Sequence, residues 1–232
     1  MIGAPKPGGA REAYMYSMKR LTAWLLLAMM VGLPARPSNA ASVATSFGGM
    51  TFADSGGSYP PDTHVAVGPS HIVEVINHTI AFYSKATGNG LFQQDLPTFF
   101  ENDLPHGPGG FDPSVTYDEL AGRFVIIILQ VTSNNEGYLL YAVSNTSNPL
   151  DGFTEKHRIR LDEPAKNSLN TTVEPDFPRI GWNADAHVVA ITMNAVNNAE
   201  ACDHVSIIVI DKSTVLDADP TTFSFHHIDR SS

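Results

Sequence analysis

The chain has 232 residues, of which 43% are hydrophobic and 16% are charged, and its formal net charge is -10 at pH 7. This balance excludes a disordered acidic tail and a collagen-like repeat. An acidic surface also repels nucleic-acid phosphates, so we expect no nucleic-acid partner. The single cysteine, Cys202, excludes an internal disulfide framework and a cysteine-based zinc site.

The N-terminal residues have the order of a secretory signal peptide. Basic residues precede an apolar run from Leu21 to Leu33, and the small residues of PSNA, ending at Ala40, follow it. The run is shorter than the roughly 20 residues that span a bilayer as a helix, so we expect no stable membrane span after cleavage. The sequence predicts that residues 1–40 are an N-terminal extension and leader, and that the protein is secreted to the periplasm or the extracellular medium.

The rest of the chain consists of short β-rich segments separated by turn-forming residues. Three groups of such segments follow one another, and they start near Val65, Ser114 and Pro178. No segment after the leader has the 3.6-residue apolar period of an amphipathic helix. The sequence therefore predicts an all-β fold for residues 61–232, preceded by a linker or closing strand at residues 41–60.

The three groups also resemble one unit used three times. Each opens on an aspartate (Asp62, Asp112 or Asp176) and continues with a short strand, a polar turn and a strongly apolar second strand. Asp112 follows Asp62 by 50 residues, and Asp176 follows Asp112 by 64. A four-stranded propeller blade takes about 40–50 residues plus loops, so the spacing predicts a partial β-propeller of about three four-stranded blades. A β-sandwich is the alternative.

The apolar runs FVIIILQ and HVVAITM are expected to be second strands that are buried on both faces. A propeller closes with about four to eight blades, so three blades form an incomplete ring, even with a further strand at residues 44–54. We therefore expect either a fragment of a larger propeller, which we favour, or assembly of blades from separate chains.

Four segments, in this order, carry a further pattern: PPDTHVAVGPSHIVEVIN from Pro60, FDPSVTYDELAGRFVI from Phe111, YAVSNTSNPLDGF from Tyr141 and EPDFPRIGWNADAHVVAITMN from Glu174. They resemble a family of secreted bacterial β-propeller proteins that are mostly uncharacterised. The resemblance covers roughly residues 60–212 and implies the propeller fold, but little biochemistry. The chain departs from the family pattern at His64, where Gly is usual, at Phe124 (usually Trp) and at Arg179 (usually Lys).

The three opening aspartates are candidates for a ligand site at the mouth of the predicted channel. Asp62, Asp112 and Asp176 would lie at equivalent positions near the start of each inner strand, with His64 beside the first. Hard oxygen ligands suit Ca²⁺, so Ca²⁺ is the metal expected if the three aspartates bind one. The alternative is that each aspartate accepts backbone N–H bonds in a turn.

The remaining acidic turns and histidines give weaker indications of a functional site. Asp118 and Glu119 stand in one polar turn, and Asn183 and Asp185 stand in the matching turn of another unit. Turn hydrogen bonding explains these residues without catalysis by paired carboxylates. His71 and His187 stand at the start of second strands, where we expect hydrogen bonds at the edge of the core. Neither a G-x-S-x-G nucleophile motif nor an HExxH zinc motif occurs.

The sequence as a whole predicts a secreted binding or scaffolding protein with an extracellular carbohydrate or protein ligand, because that function needs no catalytic motif. The alternative is an extracellular carbohydrate-active enzyme, a glycosidase or lyase, in which acids from several blades meet in the channel. The sequence assigns no catalytic residue.

Overall fold

The computed structural model describes residues 46–101, 110–132, 136–161, 173–195, 198–216 and 225–228. The predicted leader lies outside these residues. None of the helices in the described part of the chain is both long enough and apolar enough to cross a membrane.

The described residues form three four-stranded sheets, and each sheet is an antiparallel meander of strands that are consecutive in sequence. Sheet 1 contains β1 (His64–Val67), β2 (His71–Ile76), β3 (Thr79–Ser84) and β4 (Gly90–Asp95). Sheet 2 contains β5 (Phe111–Asp118), β6 (Arg123–Val131), β7 (Gly137–Val143) and β8 (Glu155–Arg160). Sheet 3 contains β9 (Val173–Trp182), β10 (Ala186–Ala195), β11 (Asn198–Asp211) and β12 (Phe225–Ile228).

Short helices complete the described residues: the 3₁₀ helices Phe52–Ser55 and Pro149–Asp151, and the α-helices α1 (Leu96–Glu101) and α2 (Ser213–Leu216). This arrangement confirms the prediction of an all-β fold built from three four-stranded units.

Sheet 2 lies between the other two sheets and has an apolar cluster on each face. The odd-numbered residues from Val125 to Leu129 pack with sheet 3, and the even-numbered residues from Phe124 to Ile128 pack with sheet 1. Strand β6 is therefore buried on both faces, as its continuous apolar sequence predicted. The first strands also meet in series, since β1 contacts β5 and β5 contacts β9.

The same prediction is wrong for β10. Val189, Ile191 and Met193 are buried in the cluster shared with sheet 2. Their alternating neighbours Val188 and Ala190 are only partly buried. The reason is position in the row of sheets: sheet 3 stands at its end, so the face of β10 away from sheet 2 is left partly open.

The described residues that precede β1, 46–63, form a linker that contains no strand. The strand expected at residues 44–54 is absent from the described part of that range, where Phe52–Ser55 form a 3₁₀ helix. The Met50 N–H donates to the Glu74 carboxylate of sheet 1 at 3.0 Å. The linker is thus fixed by a side chain of the sheet and not by a strand ladder.

Each sheet has the same irregularity near the start of its first strand. In sheets 2 and 3, two residues of the first strand stand opposite one residue of the second strand, which defines a β-bulge. In sheet 1 the corresponding residues, Asp62 and Thr63, directly precede β1, and the Asn77 N–H donates to the Pro61 carbonyl just before them. The first of these two residues has a positive φ in every sheet: 50° at Asp62, 51° at Asp112 and 49° at Phe177. These three residues therefore occupy equivalent positions in the three sheets.

Candidate functional site

The three bulges line one cavity of about 190 Å³, which we call the bulge pocket. Its walls come from all three sheets and consist of Asp62, Thr63, His64, Asp112, Pro113, Phe177 and Arg179. Three of the four residues proposed from the sequence, Asp62, His64 and Asp112, therefore line this pocket. The fourth, Asp176, is outside the lining but shares a hydrogen bond with the Asp112 carboxyl group.

Asp176 occupies a different position from the one expected. The residue equivalent to Asp112 is Phe177, so the sequence alignment of the third unit was wrong by one residue. A proline follows both Asp112 and Phe177, and aligning those prolines would have given the correct register. The Asp176 carboxylate accepts a hydrogen bond from Asn194 Nδ2 at 2.9 Å.

Hydrogen bonds connect the bulges in series. Asn77 Nδ2 donates to Asp62 Oδ2 at 2.5 Å, and Asn77 Oδ1 accepts from the N–H of Asp112 at 2.8 Å. Asp112 Oδ2 in turn accepts from the N–H of Phe177 at 3.0 Å. The N–H groups of the second and third bulges are thus bound by side chains of the preceding sheet. Asp112 does accept a backbone N–H, as one sequence interpretation held, but across sheets and not within its own turn.

The pKa of Asp112 is higher than that of an ordinary aspartate. Burial raises the pKa of Asp112 to about 6, against the opposing hydrogen bond from the Phe177 N–H. A hydrogen bond shared with Asp176 and the negative charges of Asp62 and Asp176 raise this pKa further. The surroundings of Asp112 therefore favour its protonated form more than those of an exposed aspartate would.

His64 joins sheet 1 to sheet 2 as a neutral imidazole. Its Nδ1 accepts from the Val115 N–H at 3.0 Å, and Ser114 Oγ lies 3.2 Å from the same nitrogen. Burial, followed by the positive charge of Arg179, lowers the pKa of His64. Because Nδ1 is an acceptor, Nε2 carries the ring hydrogen.

Sequence reasoning missed the aromatic part of the pocket. The guanidinium carbon of Arg179 lies 3.5 Å from the centroid of the Phe177 ring, which is a stacked cation–π contact. Phe177 is 56% exposed. Phenylalanine in a β-strand normally indicates core, so composition alone did not mark it. The stacked pair places a flat apolar surface beside two carboxylates.

The structure brings no metal cluster together in the described residues, since no group of three or more His, Cys, Asp or Glu side chains there is arranged to hold an ion. The carboxylates of Asp62, Asp112 and Asp176 accept hydrogen bonds from Asn77, the Phe177 N–H and Asn194 respectively. A Ca²⁺ ion would have to share or displace these donors. The Ca²⁺ site at the three aspartates stays a prediction.

Asp118 and Asn183 are turn residues, as predicted. One side-chain oxygen of each accepts from two backbone N–H groups of its own turn, at 3.0 Å for Asp118 and 2.8 Å for Asn183. This pattern is the ordinary Asx-turn role of the two residue types.

The second oxygen of Asp118 belongs to a buried cluster between sheets 2 and 3, which we call the junction cluster. Asp118 Oδ2 lies 2.5 Å from Lys212 Nζ and 3.0 Å from His187 Nε2, and His187 Nδ1 lies 2.7 Å from the Tyr141 hydroxyl. A carboxylate only accepts, so Nε2 of His187 carries the hydrogen and Nδ1 accepts from Tyr141. The side chains of Asp118 and His187 have no exposed area and Lys212 has 5%, so the cluster holds the two sheets together.

Contacts within the junction cluster determine which of its side chains are charged. Burial alone would raise the pKa of Asp118, but hydrogen bonds from Lys212, the Ala121 N–H and His187, together with the charge of Lys212, lower it. Burial lowers the pKa of His187, against the opposing hydrogen bond to Asp118. The neutral histidine therefore stands beside a Lys–Asp ion pair.

The prediction of hydrogen bonds at the edge of the core is confirmed for His187 and wrong for His71. In β2, Ile72 stands opposite Val67 as His187 stands opposite Trp182, so His71 lies one residue before the equivalent position. Its Nδ1 is buried and has no hydrogen-bond partner in the described part of the chain.

Comparison with known proteins gives limited information. No family model matches the sequence, and no curated protein matches it. Among solved structures, the chain is similar to the crystal structure of a mutant of the GH43 protein BlXynB from Bacillus licheniformis, with 11% sequence identity and a TM-score of 0.32. The alignment covers 72% of this chain and 41% of that chain, so this chain spans less than half the length of the GH43 structure.

Proposed function

We propose that the protein is a secreted binding protein of the β-propeller type and that its ligand site is the bulge pocket. Three consecutive four-stranded meanders, packed in a row with their first strands in contact, support the blade interpretation over a sandwich, which consists of two packed sheets. The export directed by residues 1–40 is part of this proposal.

The observation that carries the binding function is that three sheets converge on one polar pocket whose lining includes an exposed aromatic side chain. Asp62 and Asp112 supply acceptors, Arg179 supplies donors, and Phe177 supplies a flat apolar surface. The cavity is smaller than the roughly 300–1,000 Å³ of drug-sized ligand sites. This combination suits one sugar residue, whose hydroxyls pair with the polar groups and whose C–H face packs on the ring.

A second candidate function is carbohydrate cleavage, and it rests on the pKa of Asp112, which burial raises to about 6. Glycosidases pair one protonated carboxyl group, the general acid, with a second carboxylate. In this version Asp112 would donate the proton, and Asp62, which also lines the pocket, would be the second carboxylate.

A sugar-binding screen by calorimetry or on a glycan array tests the first function. Arg179→Ala and Phe177→Ala should each weaken binding of a hit at least tenfold, which corresponds to about 1.4 kcal/mol. The matched control is Leu120→Ala, which alters an exposed turn residue (68% exposed) remote from the pocket lining. Binding that survives both pocket substitutions would contradict the assignment of this site.

The enzymatic candidate is tested on the same oligosaccharides by release of reducing ends. Asp112→Asn should abolish turnover while it preserves binding, because the amide keeps the acceptor oxygen and loses the acid. Binding without turnover in the unaltered protein would leave the non-catalytic function as the correct one.

A further inference from the structure

His64 contributes one free hydrogen-bond donor to the bulge pocket. Its Nδ1 accepts from the Val115 N–H at 3.0 Å and lies 3.2 Å from Ser114 Oγ. Because the backbone N–H keeps its hydrogen, Nδ1 stays an acceptor and the ring hydrogen stays on Nε2. Nε2 has no hydrogen-bond partner in the described part of the chain and is open to solvent. The anchored side of the ring thus leaves its Nε2–H to bind a ligand.

The polar groups that line the pocket have fixed hydrogen-bond roles. His64 Nε2 and the Arg179 guanidinium group only donate, whereas the ionised carboxylates of Asp62 and Asp112 only accept. All four groups surround a cavity of about 190 Å³, so one small group of a ligand meets both kinds. The best match is a group that carries its acceptor and its donor on separate neighbouring atoms.

The charges of the lining also discriminate among classes of sugar. The carboxylate of a uronic acid would pair with Arg179, but the two aspartates would repel it. The ammonium group of an unacetylated amino sugar would pair with the aspartates, but Arg179 would repel it. An acetamido group is neutral, its carbonyl oxygen only accepts, and its N–H only donates. It therefore binds donors and acceptors together without a repelled charge.

We propose that His64 is a specificity-determining residue of the bulge pocket, and that its Nε2–H donates to the acetamido carbonyl of an N-acetylhexosamine residue. The acetamido N–H then donates to Asp62 or Asp112, and the apolar face of the sugar packs on Phe177. This assignment rests on the proposed sugar-binding function and adds to it the class of sugar that the pocket selects.

The first experiment changes the ligand and leaves the protein unaltered. The probes are N-acetylglucosamine and N-acetylgalactosamine, the corresponding free amines, and glucose and galactose, titrated by ligand-detected NMR. Within at least one series, the acetylated sugar should bind about tenfold more tightly than the other two, because both of its amide groups are paired. Acetylated sugars that bind no more tightly than glucose or galactose would overturn the proposal.

The second experiment uses His64→Asn, which separates the anchoring of the ring from its contact with the ligand. The asparagine Oδ1 takes the place of Nδ1 and keeps an acceptor for the Val115 N–H, whereas the donor at Nε2 is lost. The melting temperature should therefore stay close to that of the unaltered protein. Affinity for the acetylated sugar should fall about tenfold, while affinity for the parent sugar should change little.

The decisive quantity is the ratio of the two affinities, because damage to the fold would weaken the binding of every sugar alike. The matched control is His71→Asn, the same change at a histidine of sheet 1 outside the pocket lining, and it should leave the ratio unchanged. An unchanged ratio in His64→Asn would overturn the role of His64. If Phe177→Ala still abolished sugar binding, the proposed function would stand without it. A protein that binds no sugar in any screen would overturn both.

Discussion

The junction between sheets 1 and 2 and the junction between sheets 2 and 3 share one geometry but use different chemistry. At equivalent positions, the first junction places Gly68 against the ring of Phe124, and the second places Asp118 against His187. At the bulge end, the first junction uses the neutral amide of Asn77 and the second uses the carboxylate of Asp112.

This difference shows that the same backbone position can be packed either by an apolar contact or by a buried ionic cluster. A glycine without a side chain leaves room for a full aromatic ring, and the contact is apolar. An aspartate in the same place needs a histidine and a lysine, because a buried carboxylate without partners is strongly unfavourable. The second junction is therefore the one whose stability depends on charge and on pH.

The largest expected effect comes from removing the lysine of the junction cluster. Lys212→Met leaves the buried carboxylate of Asp118 without its cation and should lower the free energy of unfolding by about 3 kcal/mol, as measured by urea denaturation. Removing both charges with Asp118→Asn and Lys212→Met together should recover part of the loss. A double variant as unstable as the single one would contradict the ion-pair explanation.

A matched change at the apolar junction should cost somewhat less. A Cβ at Gly68 would lie 2.7 Å from the Cζ atom of Phe124, so Gly68→Ala forces the ring to move. We expect a loss of about 2 kcal/mol, the middle of the range for overpacking. Gly57→Ala does not serve as the control, because Gly57 has a φ of 79°. Gly181→Ala does, since a Cβ there has nothing within 4 Å.

The free energy of unfolding should depend on pH through Asp112, at the bulge end of the second junction. Burial raises the pKa of Asp112 from its ordinary value of about 3.8 to about 6. The folded protein therefore holds the Asp112 proton more tightly than the unfolded chain does, and this stabilises the fold at low pH. The stabilisation is fully present below about pH 3.8 and is lost as the pH rises through about 6. Asp112→Asn should therefore be more stable than the unaltered protein at pH 8, by about 1 kcal/mol after allowance for solvent screening.

The same measurement at pH 5 should show a smaller difference, because Asp112 is then largely protonated. The junction cluster has the opposite sign. The pKa values of His187 and Asp118 are lowered, so their contributions are lost as the pH falls. A difference between Asp112→Asn and the unaltered protein that does not change with pH would contradict the raised pKa.

Local sequence signals were sufficient for some of these features. Turn residues and continuous apolar runs gave the three meanders, the burial of β6 and the turn role of Asp118. The partners of Asp118 were not predictable, because Lys212 and His187 reach it only through the packing of separate sheets. The one-residue error at Asp176 has a similar cause, since a bulge shifts the register in a way that the position of an acid does not reveal.

The smallest effect concerns the one bulge that breaks the aspartate pattern. Phe177 has a φ of 49°, where Asp62 and Asp112 stand in the other sheets. Asparagine tolerates the left-handed region better than phenylalanine, so Phe177→Asn should relieve strain. The stacking on Arg179 is lost, and at an exposed site it is worth about 0.5–1 kcal/mol. We expect a net gain of about 0.5 kcal/mol in the free energy of unfolding. The control is Phe52→Asn. The side chain of Phe52 is 57% exposed and its backbone φ is not positive, so this substitution should not raise the free energy of unfolding.

That gain in stability should be accompanied by a loss of function at the bulge pocket. If Phe177 is retained in a strained conformation because a ligand packs on it, the asparagine variant should unfold less readily and bind sugar less tightly. Denaturation and calorimetry on the same sample measure both quantities. A variant that gains stability without losing affinity would mean that the ring has no part in binding, and the pocket would then depend on Asp62, Asp112 and Arg179 alone.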